Sequence, residues 1–273
     1  MKIMNTRVTE SETIKLVVAG EAGNGKTSLA RTLQAGLGEK VLVISAEAGL
    51  LSLRGSDIDY VELQQEEIEG KMVEVPKVAR VRRLGQILAW VKEPAQMKRY
   101  NWLFIDSLTE VQQNVLEWLE SLEEYQGPKN TIKKYGELST QMMSISKAFR
   151  DLSHYNVVFT SLVKNESDSD GISKMKVAMI GSFADRLPAL FDEILYLGVT
   201  AEKDEKTGTN IRKLLTQKTD KIDFPKDRSG RLANLEDADL SIVVKKIRQA
   251  PILADISAKG KQAAQEAKAA KSV

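Results

Sequence analysis

Residues 20 to 27 read Gly20-Glu21-Ala22-Gly23-Asn24-Gly25-Lys26-Thr27, a match to G-x-x-x-x-G-K-[ST]. No other stretch of the chain restricts its architecture so tightly, because this spacing works only as the turn between a strand and a helix. Glycines let backbone N–H groups turn inward around phosphate oxygens, where a side chain would block approach. A helix beginning near Lys26, with Ser28 in its first turn, points its positive end at the same anion. Lys26 is then expected to reach the β- and γ-phosphates, and the Thr27 hydroxyl to coordinate Mg²⁺. From average residue usage, the four fixed positions coincide by chance in about one chain of this length in a hundred. The flanks fit as well: apolar IKLVVA (Ile14–Ala19) precedes the loop and helix-like TSLARTLQAGL follows it.

The same alternation continues downstream. VLVIS (Val41–Ser45), DYVEL (Asp59–Leu63), WLFID (Trp102–Asp106) and NVVFTSLV (Asn156–Val163) read as strands. Between them, Val81, Leu84, Leu88 and Val91 fall at helical spacing, as do SLTEVQQNVLEWLESLEE and the stretch around Met142–Leu152. Continuously apolar strands alternating with helices imply an α/β fold, a mainly parallel sheet with helices on both faces. Near the end, DEILYLGVT and NIRKLLTQK flank EKDEKTGT and predict an antiparallel hairpin. Leu240–Ile247 fits a final strand or a short helix. Residues 1–13 read as a polar lead-in, 14–256 as one domain, and the Ala- and Lys-rich 257–273 as a disordered or marginally helical tail.

Composition excludes several chemistries. The chain of 273 residues has no cysteine and one histidine, His154, which removes thiol nucleophiles, iron–sulfur clusters and Cys- or His-rich metal sites. Its 40 Lys and Arg against 38 Asp and Glu leave a charge of +2, so any basic surface must be local. No apolar run approaches the ~18 residues that cross a bilayer, and the start has no signal-peptide core. The expectation is a cytoplasmic protein with no membrane partner.

Asp106 ends an apolar strand, the position from which a carboxylate holds magnesium beside Thr27. Its neighbour is Ser107, not the Glu that activates water in many P-loop ATPases. Glu47, after VLVIS within Ser45-Ala46-Glu47-Ala48, is the best candidate for general base; a solvated carboxylate or helix cap is the bland alternative, and Glu110 the next to test. At this point the chain resembles the RecA family, through about residue 163, which implies a RecA-like P-loop NTPase core with Glu47 as base and Thr160 and Ser161 near the γ-phosphate. More narrowly, FIDSL, FRDLSHYNVVFTSLVKN, LPALFDEILYL and FPKDRSGRL are similar to phage nucleotide-binding, single-strand annealing ATPases of the Sak type. That resemblance implies ATP and Mg as cofactors, single-stranded DNA as ligand in recombination, annealing or repair, a single-strand-binding protein as a further partner, and a bacterial host's cytoplasm.

Two polar stretches occupy the places of RecA-type DNA loops. Residues 126–136 offer Lys129, Lys133, Lys134 and Tyr135, and residues 164–182 offer Lys174 and Lys176 beside Met175 and Met179. Lys77, Arg80, Arg82 and Arg83 form a third basic group; each of the three also reads as a solvated surface. Lys226 and Arg228, in Phe224-Pro225-Lys226-Asp227-Arg228-Ser229-Gly230, resemble the Lys-x-Arg-x-Gly finger of DnaB-type ring helicases. This implies a homo-oligomer, ring or filament, whose ATP site is completed by a neighbour; a basic turn facing water is the alternative. A helicase-type or helicase-loading motor and a P-loop small-molecule kinase are the competing functions.

Overall fold

The computed structural model describes residues 13–47, 49–167, 171 and 173–249. In chain order the first half comprises β1 (Lys15–Ala19), α1 (Leu29–Leu37), β2 (Val41–Ser45), β3 (Asp59–Glu62), β4 (Gln65–Ile68), β5 (Lys71–Glu74), α2 (Arg80–Val91), α3 (Pro94–Arg99), β6 (Trp102–Asp106) and α4 (Leu108–Glu120). The second half comprises α5 (Thr131–Arg150), β7 (Asn156–Ser161), β8 (Val163–Ser167), β9 (Ser173–Val177), α6 (Phe183–Leu190), β10 (Glu193–Lys203), β11 (Asn210–Leu215), β12 (Lys226–Asp227), β13 (Leu235–Asp237) and α7 (Leu240–Ile247).

The sheet runs β13-β11-β10-β1-β7-β6-β2-β3, with β12 also on β10. From β10 to β3 every neighbouring pair is parallel, while β11, β12 and β13 join antiparallel. Strands β1, β2, β6 and β7 are buried along their whole length. Their apolar runs follow from this, because side chains alternate between two covered faces. One face sets Leu16, Val18, Val43, Phe104 and Val158 against Leu29 and Leu33 of α1 and Val243 and Val244 of α7. On the other, Val17, Ile44, Ile105 and Phe159 meet Leu84 of α2, Val115 of α4, Phe149 of α5 and Phe183 of α6. The expected α/β fold, a mainly parallel sheet between helices with an antiparallel β10–β11 hairpin, is the observed one.

Three local expectations are corrected or resolved. NVVFTSLV is not one strand: β7 ends at Ser161, and β8 pairs with β9 in a separate two-stranded sheet. The stretch 126–136 is a loop only in its first half, because α5 begins at Thr131 and continues for 20 residues. Leu240–Ile247 is a helix, its start held by the Asp239 carboxylate, which accepts from the Ser241 backbone N–H at 2.8 Å. It packs so closely on α1 that a Cβ at Gly36 would lie 2.1 Å from Ser241 Oγ. The lead-in up to residue 12 and the tail 257–273 lie outside the described residues.

Candidate nucleotide site

Parallel strands deliver their C-terminal ends to one edge of the sheet. The order β1-β7-β6-β2 therefore sets the ends at Ala19, Ser161, Asp106 and Ser45 side by side. The glycine loop leaves β1 at this edge and is tied to both neighbours. Gly20 N–H donates to the Ser161 carbonyl at 3.1 Å, and Asn24 Nδ2 donates to the Leu197 carbonyl of β10 at 3.1 Å. Gly23 and Gly25 take the left-handed backbone, with φ of 80° and 91°, that a side chain would resist. Leu29, Ala30 and Arg31 N–H groups bond back to Lys26, Thr27 and Ser28, so the turn winds directly into α1.

Lys26 lies inside this loop, 7% exposed, with Nζ donating to the carbonyls of Gly20 at 3.0 Å and Glu21 at 2.9 Å. Burial lowers its pKa from the ordinary lysine range, and the Asp106 and Glu47 carboxylates oppose that shift. A buried ammonium between carbonyl oxygens and facing two carboxylates is a focus for polyphosphate charge.

Asp106 is buried at the end of β6. One carboxylate oxygen accepts from Thr27 Oγ1 and the other from Thr160 Oγ1 on the intervening β7. The hydroxyl and carboxylate brought together are hard oxygen donors of the kind magnesium takes. Among the described residues no group of three or more His, Cys, Asp or Glu could hold a metal ion. Thr27 Oγ1 and the Asp106 carboxylate fit a magnesium ion as two oxygen donors.

Glu47 follows β2, and its backbone N–H donates to the Asp106 carbonyl at 3.2 Å. Its side chain, exposed, accepts from Ser107 Oγ at 2.5 Å. Ser107 in turn caps α4, accepting from Glu110 N–H at 3.3 Å. Burial raises the pKa of Glu110, and the Glu47 and Glu117 charges add to this. Ser161 shares a hydrogen bond with Thr109 Oγ1 at 3.0 Å. Ser107 stands where many P-loop ATPases have a glutamate, and it donates to a carboxylate just beyond the end of the neighbouring β2. The spacing Ser107-Leu108-Thr109-Glu110 is a capping pattern that marks the helix start; nothing in it marks the bond to Glu47.

The basic residues singled out in the sequence are partly occupied. Lys133 and Lys134 lie on α5 and pair with Glu124 at 3.0 Å and Glu120 at 2.8 Å. Lys133 also covers the Tyr125 ring, and Lys134 the Tyr135 ring. Lys129 precedes the helix. Arg80 is buried and donates to the Val75 carbonyl, Arg83 pairs with Glu66 and Lys77 with Glu117, while Arg82 is exposed. Lys174 and Lys176 stand on β9, whose hairpin with β8 rises directly beyond Ser161 at the loop's end of the sheet. Residues 168–170 and 172 of that stretch lie outside the described residues.

Lys226 and Arg228 do not face one anion together. Lys226 Nζ donates to the carbonyls of Pro188 at 2.7 Å and Phe191 at 2.9 Å, closing the end of α6. Arg228 is exposed and pairs with Asp192 at 2.5 Å. Lys226 pairs with Ile194, level with Val17, and Arg228 bonds to Asp192, level with Lys15. Arg228 is thus about 16 Å of strand from the glycine loop.

A sequence family described as an AAA domain matches residues 12–229, and so contains every element from β1 to β12. The chain belongs to the AAA domain family. Membership supports an ATPase activity for this AAA domain. Among curated proteins none matches. Solved structures similar to it include an ATPase from the type III secretion system of pathogenic bacteria, at 12% identity, with 68% of this chain and 52% of that one covered and a TM-score of 0.40. The RadB recombinase is similar at 15% identity, with 82% and 90% covered and a TM-score of 0.40. EscN, solved with its stalk EscO from enteropathogenic E. coli, is similar at 14% identity, with 72% and 45% covered and a TM-score of 0.41. The chain spans about half the length of the two secretion ATPases. Among the described residues of this AAA domain, no helix is long and apolar enough to cross a membrane.

Proposed function

We propose that this AAA domain is a magnesium-dependent, RecA-like ATPase acting on single-stranded DNA. The observation that carries the reading is the hydrogen-bonded line Thr27–Asp106–Thr160 beside Lys26, with Glu47 held by Ser107 on the adjoining strand end. Gly20–Ser28 bind the triphosphate, with Lys26 placing its charge on the β- and γ-phosphates. Thr27 and Asp106 hold Mg²⁺, which supplies neutralisation of phosphate charge when bound. Glu47 is the only one of these groups with an exposed carboxylate, so it is the group that orients water and takes its proton. Ser107 donates to Glu47, which fixes the carboxylate's direction without occupying both oxygens. Thr160 fixes Asp106 from the opposite side to Thr27.

The β8–β9 hairpin supports DNA as the second ligand. It leads directly out of Thr160 and Ser161, and it carries Lys164 opposite Lys176 with Lys174 two residues away. Among the described residues, Glu166 pairs with Lys164 and Lys176, and Asp223 lies near Lys174 and Lys176, so three lysines meet two carboxylates here. Phosphates along a strand would displace that exposed pairing at little cost. The phage annealing proteins of the Sak type remain the finer reading for the pathway. Arg228, too far from its own glycine loop, is assigned to a neighbouring subunit's nucleotide in a ring or filament. ATP turnover measured with and without single-stranded DNA tests the proposal. Stimulation by DNA is expected, whereas phosphorylation of a small acceptor with no response to DNA would replace it by the kinase reading.

A further inference from the structure

Arg212 stands on β11, opposite Val199 of β10. Strand β10 reaches the level of Ala19 at Tyr196, so Val199 and its partner lie three residues beyond the end of β1. The antiparallel pair thus rises about 10 Å past the sheet's edge, alongside the glycine loop. Side chains two apart on a strand share a face. Leu214 points into the layer beneath α1, so Arg212 points to the same side one step higher, where the loop is. The loop is fixed against this wall. Asn24 is bonded to the Leu197 carbonyl, and a Cβ at Gly20 would lie 2.7 Å from that same oxygen.

At Gly25 the contact is with the guanidinium itself. A Cβ there would lie 2.6 Å from Arg212 Nη1 and 3.1 Å from Cζ, whereas a Cβ at Gly23 would meet nothing within 4 Å. The bare face of Gly25, the residue before Lys26, is therefore turned toward a cation. That cation is otherwise unused: among the described residues the Arg212 side chain makes no hydrogen bond or ion pair, although its neighbour Lys213, on the opposite face, pairs with Asp237 at 2.6 Å. The alternation in Asn210-Ile211-Arg212-Lys213-Leu214 sends one cation to each side, and only one of them is matched by a carboxylate.

We propose that Arg212 is a nucleotide-binding residue in cis, donating from its guanidinium to the phosphates of a nucleoside di- or triphosphate held by its own chain's Gly20–Thr27 loop. The assignment rests on the nucleotide reading of that loop. It gives the site a second positive charge, beside Gly25. It also makes the β10–β11 hairpin part of the site, although no residue of that hairpin belongs to a recognised phosphate motif.

The test is fluorescence titration of labelled ADP and ATP into the parent and the Arg212→Ala, Arg212→Lys and Lys26→Ala variants, with thermal unfolding checked for each. Arg212→Ala should bind both nucleotides about tenfold or more weakly, the scale of a lost charge-assisted hydrogen bond, and Arg212→Lys should recover part of the loss. Because the side chain is exposed, the unfolding midpoint should not move; if Ala shifts it, Arg212→Gln supplies the same comparison with the stem retained. Affinity within twofold of the parent in the neutral variants, with Lys26→Ala still defective, overturns the assignment of Arg212 alone. A parent that binds neither nucleotide overturns the loop reading and the assignment together.

Discussion

The catalytic role proposed for Glu47 depends on a residue far from it in sequence, Ser107. A carboxylate on a strand end serves as a base only if it is held toward the phosphates, and the Ser107 hydroxyl does the holding. Glu47→Gln should retain ATP binding while hydrolysis slows by roughly a hundredfold or more, the usual scale for a general base. Ser107→Ala should slow it less, because the carboxylate remains but its direction is lost. Single-turnover hydrolysis with saturating ATP measures both, and a full rate in Glu47→Gln would transfer the role to Glu110. Asp106→Asn should weaken the magnesium-dependent part of ATP binding and leave the magnesium-free part. The glycine loop and Asp106 can be read from strand ends and spacing, and Glu47 from its strand end together with the resemblance to the RecA family. Ser107 and Arg212 cannot, since the first acts through a partner 60 residues away and the second through a register between two antiparallel strands.

At the scale of elements, the strands buried on both faces could be read directly, because a continuous apolar run signals them without reference to a partner. The hairpins β4–β5 and β8–β9 could not: QEEI, KMVE and VKNES are polar, largely exposed and held by their cross-strand pairing. On β9, Lys174→Ala with Lys176→Ala should weaken single-strand binding across sequences and flatten its salt dependence, since fewer counterions are released. Changing Lys129, Lys133 and Lys134 together should do less, two of these being paired along α5. Equal effects of the two sets in filter binding at several salt concentrations would remove the preference for the hairpin. At the opposite end of the sheet, burial raises Glu193 to about 8, and the neighbouring Asp227 charge adds to this. The folded state therefore holds a proton that the unfolded chain releases near its ordinary value of 4.5. Stability must fall as pH rises through that window, up to about pH 8. Glu193→Gln should flatten this slope and gain on the order of a few kcal/mol at pH 8 relative to the parent. Urea unfolding at pH 5 and pH 8 measures it, and an unchanged slope would assign the pH dependence elsewhere.

For the whole molecule, one end of the sheet carries the nucleotide site and the other carries Arg228 beside Asp192. If subunits stack end to edge, the arginine of one meets the phosphates of the next, and specific ATPase activity should rise with protein concentration. Arg228→Ala should then lose about 10³-fold in turnover and keep ATP binding. Lys226→Ala should instead lower the unfolding midpoint, because its ammonium satisfies the carbonyls at the end of α6. Mixing Arg228→Ala with Lys26→Ala subunits should restore activity at interfaces that pair an intact finger with an intact loop; no recovery, with a monomer at all concentrations, would place the whole site in one chain. Each of these outcomes presupposes that the strand-end cluster binds ATP at all. Equilibrium binding of MgATP to the parent and to Lys26→Ala, at matched circular dichroism and unfolding midpoint, tests this most directly. The account predicts saturable binding by the parent that is lost in the variant; equal binding by both would contradict it.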